Sequence, residues 1–464
     1  MISNSVTGGL KGTPKIPGDK SISHRSIIIP SISNGICEIN NILKSEDVLH
    51  TLNALKSMGV NISENKNKII IHGKGLNSLR AAKKEIYLGN SGTSARLLTG
   101  LLASQKFKSV LTGDKSLSSR PMKRIADPLT KMNAKIYTTN GSLPLSIESS
   151  NLKPVNFDLK IPSAQIKSGL LLAALNTKGQ TNITENKVTR DHTEVMLQSF
   201  GANIEINKIG SKKNIKIIGQ KELIANNIDV PNDLSSSSFF IVSALINKHS
   251  KIILKNINNN PTRNGIILAL KKMGAKINLF NERISNNENI CDIEVFSSNL
   301  KGCELGPEIA DLMIDEYPIL AVAASFADSP SVFRGLKELR VKESDRLKLI
   351  LFNLENCGVK CKSENDDLYI FPSKKYYVKR NIIETEFDHR IAMAFAIMGT
   401  KIGPLTINDS ESINTSFPNF KNEFNICQNI YITTRHKPGT KAPKNKSVTL
   451  TDSGEKLPND NCAC

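Results

Sequence analysis

The chain repeats itself six times. A polar cluster followed by a small-residue apolar helix recurs as "GDKSISHRSIII", "GNSGTSARLLTGLLA", "PSAQIKSGLLLAAL", "PNDLSSSSFFIVSAL", "DEYPILAVAASFA" and "DHRIAMAFAIMG". The copies begin at Gly18, Gly89, Pro162, Pro231, Asp315 and Asp388, a period of about 70 to 85 residues. A second block repeats in phase: an amphipathic helix, a small turn and a strand. Five copies end in "MGVNI", "MNAKI", "FGANI", "MGAKI" and "CGVKC"; the sixth, around "SFPNFKNEFNI", is degraded. In "SEDVLHTLNALKSMG", Val48, Leu49, Leu52, Leu55 and Met58 form one apolar face, Ser45 suits the N-cap and Gly59 the C′ position. Repetition at fixed period means that one supersecondary unit is used over and over, because a single unit cannot bury its own apolar face.

Each unit reads as strand, helix, strand, helix and further strands, which makes the chain α/β. Its 464 residues exceed one ordinary core. Six units therefore predict two similar domains of three βαβαββ-type units each. The boundary falls near "DVPND", Asp229 to Asp233, and the first repeat starts only after Pro17. The expected domains are residues 18–229 and residues 1–17 with 230–430, joined by a two-strand hinge near Lys15–Gly18 and Val230–Asp233. Residues 431–464 have little apolar content and read as a disordered tail; the thiols of Cys462 and Cys464 are weak evidence for a metal.

The formal net charge of +19 points to an anionic partner, although heavy use of Lys, Asn and Ile can also reflect background composition. Tryptophan is absent, which weakens a reading built on stacked bases. Eight scattered cysteines match neither a zinc site nor a disulfide framework, so reduced thiols and a cytoplasmic protein are expected. No apolar run is long enough to span a bilayer, and with a motif starting as early as Gly18 no leader is expected before it.

The position of the charge is more informative than its total. Lys20 and Arg25 stand where a helix N-terminus repels cations. Arg96 and Arg390 recur at later helix starts, and Arg120, Arg190, Lys342 and Arg346 stand before or at second-block helices. Lys342 and Arg346 read as one turn apart on one helical face, a mildly repulsive pair. Anions held at convergent helix starts resolve the conflict, and a cleft between two domains would gather them. Asp315 and Glu343, set among these cations, are candidates for general base and acid; alone they would read as caps or ion pairs. Ser163 and Gln165 are neutral hydrogen-bonders at another helix start. His24, His192 and His389 lack metal-ligand spacing, and His389 is either a cleft donor or a buried structural histidine. "GNSGT" lacks the Lys-Ser/Thr of a Walker loop, and Gly92 permits close backbone approach to a ligand.

"GDKSISHR", "GNSGTSARL", "SSRPM", "PSAQIKS", "TRDHTE", "DEYPILAVAA", "RVKESDR" and "DHRIAMAF", in this order, span about residues 15 to 425. In this combination the chain resembles the 5-enolpyruvylshikimate-3-phosphate synthases, and most closely a bacterial class II branch. The resemblance implies an inside-out α/β barrel of two three-unit domains. It implies transfer of the enolpyruvyl group of phosphoenolpyruvate to the 5-hydroxyl of shikimate 3-phosphate, with release of phosphate. It implies no metal or other cofactor, no nucleic-acid or membrane partner, and a monomer. Carried over by motif, Lys20, Ser21, Arg25, Ser163, Ala164, Gln165, Arg190, Asp315 and Lys342 bind shikimate 3-phosphate. Lys20, Gly92, Arg120, Gln165, Arg346 and Arg390 hold phosphoenolpyruvate. Asp315 takes the hydroxyl proton, Glu343 protonates the methylene carbon and Lys20 assists.

Two positions need comment. Thr415, in "NTSFP", stands where some members of the family have a lysine, and Gly92 stands where herbicide-tolerant members can have alanine, so glyphosate sensitivity is implied. Two rival readings are an enolpyruvyl transferase acting on a UDP-sugar and a non-enzymatic basic nucleic-acid binder. The first typically uses a loop cysteine, and none falls between Lys106 and Pro121. The second finds no binding module here.

Overall fold

A computed structural model describes residues 1–65, 68–210, 212–373 and 375–433. The expected tail, with Cys462 and Cys464, lies outside the described residues from 434 onward. Residues 431–433 continue the helix Phe420–Thr433.

The second unit shows the grammar. Strand Ile86–Tyr87 leads to helix Gly92–Ala103, strand Ser109–Thr112, helix Lys123–Lys131 and the hairpin Lys135–Thr139 with Ser142–Glu148. Ile86–Tyr87 lies parallel to Ser109–Thr112, which pairs antiparallel with the second hairpin strand. The same order of pairings builds four-stranded sheets in units one, three, four and five. The sixth sheet has three strands: Ile382–Ile383, Leu405–Ile407 and the N-terminal Ile2–Ser3. Among the described residues the degraded sixth copy shows no hairpin, and the N-terminal strand Ile2–Ser3 pairs at that edge.

The turn after each second helix explains the conserved spacing of the five endings. Gly59, Asn133, Gly201, Gly274 and Gly358 occupy equivalent positions with φ of 87°, 69°, 78°, 82° and 81°. That left-handed C′ conformation suits glycine, and asparagine next best. The preceding helix Glu46–Ser57 differs from expectation in two details. Leu49 is 37% exposed while Val48, Leu52, Leu55 and Met58 are buried. Ser45 holds the N-cap position, but its side chain makes no capping bond.

First-block helices such as Ala164–Leu175, Leu234–Ile246 and Tyr317–Ser325 are apolar nearly all round and buried along their length. Helices thus fill the interior and the sheets lie outside them. Each sheet stays separate, and none closes on itself among the described residues. Buried residues form two clusters. One runs from Ile22 to Val230; the other takes Leu10 and Ile16 and then Leu234 to Cys427.

Two parallel edge strands come from distant sequence. Ile228–Asp229 completes the first unit's sheet, and Lys11–Gly12 completes the fourth's. The chain therefore passes twice between the clusters, and the passages are tied together. Asp19 N–H donates to Pro231 O at 2.7 Å, and Asp233 N–H donates to Pro17 O at 2.9 Å. Asp19 and Asp233 cap the helices of units one and four. Buried Arg263 binds both carboxylates, reaching Asp233 Oδ1 at 3.0 Å. No described helix is long and apolar enough to cross a membrane.

Candidate active site

The two faces of helix Lys20–Ser31 account for its misplaced cations. Lys20 pairs with Asp47, and His24 Nδ1 lies 2.7 Å from Thr51 Oγ1, so one i, i+4 pair meets another on helix Glu46–Ser57. The neighbouring face turns to the third unit. Arg25 donates to Thr193 Oγ1 at 2.6 Å, to Ser168 Oγ at 2.8 Å and back to Ser21 O at 2.8 Å. Burial, then Lys20 and Arg25, hold His24 well below its usual range, so it is a neutral core histidine.

One cleft lies between the two clusters. Of the residues singled out in the sequence, Lys20, Ser21, Arg25, Arg120, Ser163, Ala164, Gln165, Arg190, Asp315, Lys342, Glu343 and Arg390 line it. Gly92 lies beneath the wall, where an added Cβ would come 2.9 Å from Arg120 Nη1 and 3.0 Å from Arg96 Nη1. Arg346 is 1% exposed and sits behind the two carboxylates. Its Nη1 is 3.0 Å from Asp315 Oδ1, its Nη2 2.6 Å from Glu343 Oε2, and its Nε 2.8 Å from Asp388 Oδ2. Lys342 ends the short 3₁₀ turn Lys337–Val341, and Arg346 opens the next helix after its cap Asp345. The two cations therefore do not share a helical face as the spacing suggested. They meet instead at Asp315, with Lys342 Nζ 3.3 Å from Oδ1.

Carboxylates of one lobe face guanidiniums of the other. Arg190 Nη2 reaches Asp315 Oδ2 at 2.6 Å, and Arg120 Nη1 lies 3.6 Å from Glu343 Oε1. Burial acts to raise the Asp315 carboxyl, but Lys342, Arg190, Arg390 and Arg346 outweigh it and hold it well below the carboxylate range. Burial likewise acts to raise Glu343, and the Arg346 and Arg120 guanidiniums prevail in the same downward direction. Both groups are therefore carboxylate anions in this arrangement. That suits a base, and it sets a condition on Glu343 as an acid.

At the third-unit helix, Ser163 Oγ accepts the Ile166 N–H at 3.4 Å as a cap while its residue lines the cleft. Gln165 Nε2 donates to Thr93 Oγ1 at 3.0 Å, and Gln165 Oε1 accepts from Arg96 at 2.7 Å. His389 is both cleft-lining and buried, with Nδ1 3.2 Å from Thr415 Oγ1. Burial first, then Lys20, hold its imidazole well below its usual range. Thr415 thus supports a neutral histidine.

Arg96, singled out in the sequence at a helix start, lines the cleft too. The structure adds Arg124, Asp311 and Glu338 to the lining, and Arg124 Nη1 joins Glu338 Oε2 across it at 2.9 Å. Arg263 lines it as well, while Asp47 and Asp388 stand one step behind the lining. Arg96 and Arg124 carry a local signal, since they sit at or beside repeated helix starts; the partners of the others lie more than 20 residues away in sequence.

The sequence profile of "EPSP synthase (3-phosphoshikimate 1-carboxyvinyltransferase)" matches residues 6–424. The chain belongs to the EPSP synthase family. Among its relatives, the 3-phosphoshikimate 1-carboxyvinyltransferase of Ruthia magnifica is 46% identical over 416 residues, 89% of this chain and 94% of the relative. That of Thermoanaerobacter sp. (strain X514) is 43% identical, covering 90% and 97%. The solved EPSP synthase of Acinetobacter baumannii superimposes with a TM-score of 0.81 at 43% identity, over 92% of this chain and 97% of that one. The chain is accordingly a shikimate-pathway transferase with the EPSP synthase fold. Neither the UDP-sugar reading nor the nucleic-acid reading finds support in these matches.

Proposed function

We propose that this cleft transfers the enolpyruvyl group of phosphoenolpyruvate to the 5-hydroxyl of shikimate 3-phosphate. Lys20, Ser21, Arg25, Ser163, Ala164, Gln165, Arg190, Asp315 and Lys342 take the shikimate 3-phosphate; Lys20, Gly92, Arg120, Gln165, Arg346 and Arg390 take phosphoenolpyruvate. The observation that carries the reading is the meeting of both lobes' charges in one cleft, with Arg190 on Asp315 at 2.6 Å and Arg120 near Glu343 at 3.6 Å. Two small substrates bearing phosphate and carboxylate groups fit a cationic cleft supplied from two sides.

The chemistry follows from those charges. Asp315, ionised, accepts the hydroxyl proton as the 5-oxygen attacks C2 of phosphoenolpyruvate. Glu343 delivers a proton to C3, and Lys20 assists proton transfer. Glu343, left as a carboxylate, then takes a proton back from C3 of the tetrahedral adduct as the C2–O bond to phosphate breaks, leaving the enol ether and inorganic phosphate. Glu343 becomes a competent acid when substrate anions draw Arg120 and Arg346 away from it, which removes the attraction that keeps it charged. Substrate binding thereby switches on the donor. Holding both reactants in place and stabilising charge in a confined site supply most of the rate enhancement.

The chain works as a monomer in the cytoplasm, without nucleic acid or membrane, on this reading. All six described cysteines are unpaired, which agrees with a reducing compartment. The test is phosphate release with each substrate omitted in turn. Release only when shikimate 3-phosphate and phosphoenolpyruvate are both present is the expected result; release from phosphoenolpyruvate alone contradicts it.

A further inference from the structure

Six cations of the first lobe line the cleft: Lys20, Arg25, Arg96, Arg120, Arg124 and Arg190. Four already face a carboxylate: Asp47, Glu343, Glu338 and Asp315 respectively for Lys20, Arg120, Arg124 and Arg190. Arg25 and Arg96 are the exceptions, with no carboxylate in ion-pair range among the described residues. Both are held by neutral oxygens. Arg25 leans on Thr193, Ser168 and Ser21; Arg96 donates to Gln165 Oε1 at 2.7 Å and to Gly92 O at 3.4 Å. Neutral acceptors orient a guanidinium without spending its charge, which leaves it free for an anion.

The repeat makes the two equivalent. Arg25 follows the opening glycine Gly18 at the same interval as Arg96 follows Gly89. Each sits on a helix whose N-terminus faces the cleft. Arg96 also converges with Arg120, since Nη1 of both lies one hydrogen-bond length from the same point above Gly92. Burial above all, and then Arg120 and Arg124 close by, push the Arg96 guanidinium down to about 10, with Glu343 and Glu338 acting the other way.

We propose that Arg96 is a substrate-binding residue, the repeat counterpart of Arg25, which together with Arg120 takes the phosphate of phosphoenolpyruvate over Gly92. This rests on the assignment of the cleft given above. The shared Gln165 amide couples the two anion sites: Arg96 fixes Oε1, so the Nε2 end points toward Thr93 and the cleft.

The test is Arg96→Gln and Arg96→Lys, with steady-state kinetics in each substrate and calorimetric binding of shikimate 3-phosphate alone. R96Q should raise KM for phosphoenolpyruvate at least about tenfold and leave shikimate 3-phosphate affinity within about threefold; R96K should recover part of the loss. A KM for phosphoenolpyruvate within about twofold of wild type in R96Q overturns the proposal. If R96Q fails to bind shikimate 3-phosphate, R96K decides: a rise confined to phosphoenolpyruvate supports the proposal, and equal rises for both substrates overturn it. A wild-type enzyme that releases no phosphate from the two substrates overturns the functional assignment instead. Inorganic phosphate titrated into wild type and R96Q then still decides whether Arg96 binds an anion, weaker binding to R96Q supporting it and equal binding refuting it.

Discussion

Arg190 and Asp315, 125 residues apart in the chain, form a 2.6 Å ion pair across the cleft. The pair joins an expected substrate-binding cation of one lobe to the expected base of the other. Asp315→Asn keeps the shape and removes the proton acceptor, so kcat should fall by about 10²–10⁴-fold. Arg190→Gln should act mainly on KM for shikimate 3-phosphate. Equal losses of kcat in both variants would mean that Asp315 only holds the lobes together.

Glu343 carries a pH signature. Its carboxyl is held below the ordinary range, so its ionised form favours the folded state. That contribution is complete above the unfolded value of about 4.3 and is lost as pH falls toward the lower folded value. In urea melts, the stability difference between wild type and Glu343→Gln should be constant above about pH 5.5 and should shrink below about pH 4. A difference that grows on acidification refutes the assigned direction. The same variant should lose nearly all turnover, about 10²-fold or more, and still bind shikimate 3-phosphate.

Gly92→Ala places a methyl group 2.9 Å from Arg120 Nη1 and 3.0 Å from Arg96 Nη1. Both guanidiniums must give way. KM for phosphoenolpyruvate should rise by about tenfold, shikimate 3-phosphate affinity should stay level, and inhibition by glyphosate should weaken more than phosphoenolpyruvate binding does. Unchanged inhibition of G92A would place the inhibitor away from this wall.

Arg263 holds the two passages between the lobes. Removing it leaves Asp19 and Asp233 buried without their shared cation. Arg263→Met should cost about 3–5 kcal/mol in equilibrium unfolding. Arg263→Met combined with Asp19→Asn should recover part of that loss, and no recovery would show that packing around the guanidinium stem dominates.

The local grammar of this protein is readable from sequence because it is periodic. The helix starts, the left-handed turns at Gly59 and its counterparts, and most cleft cations follow from spacing alone. Long-range pairing is not readable in that way. Nothing near Lys20 announces Asp47, and nothing near Arg346 announces Asp388, because separate units bring them together. Lys342 and Arg346 show the local limit: helical spacing puts them on one face, but the 3₁₀ turn ends at Val341 and the helix starts afresh at Arg346. The sixth unit shows another. Its missing hairpin is visible as a degraded repeat, whereas the strand Ile2–Ser3 that fills the edge comes from the far end of the chain.

The central claim is that guanidinium and ammonium groups of both lobes enclose two small anions. A crystal structure of Glu343→Gln with shikimate 3-phosphate and phosphoenolpyruvate bound tests it most directly. One phosphate should lie within hydrogen-bond distance of Arg25 and the other of Arg120, with Arg120 and Arg346 released from residue 343 onto ligand oxygens. Ligands bound outside this cleft, with Arg120 still turned toward residue 343, would contradict the account.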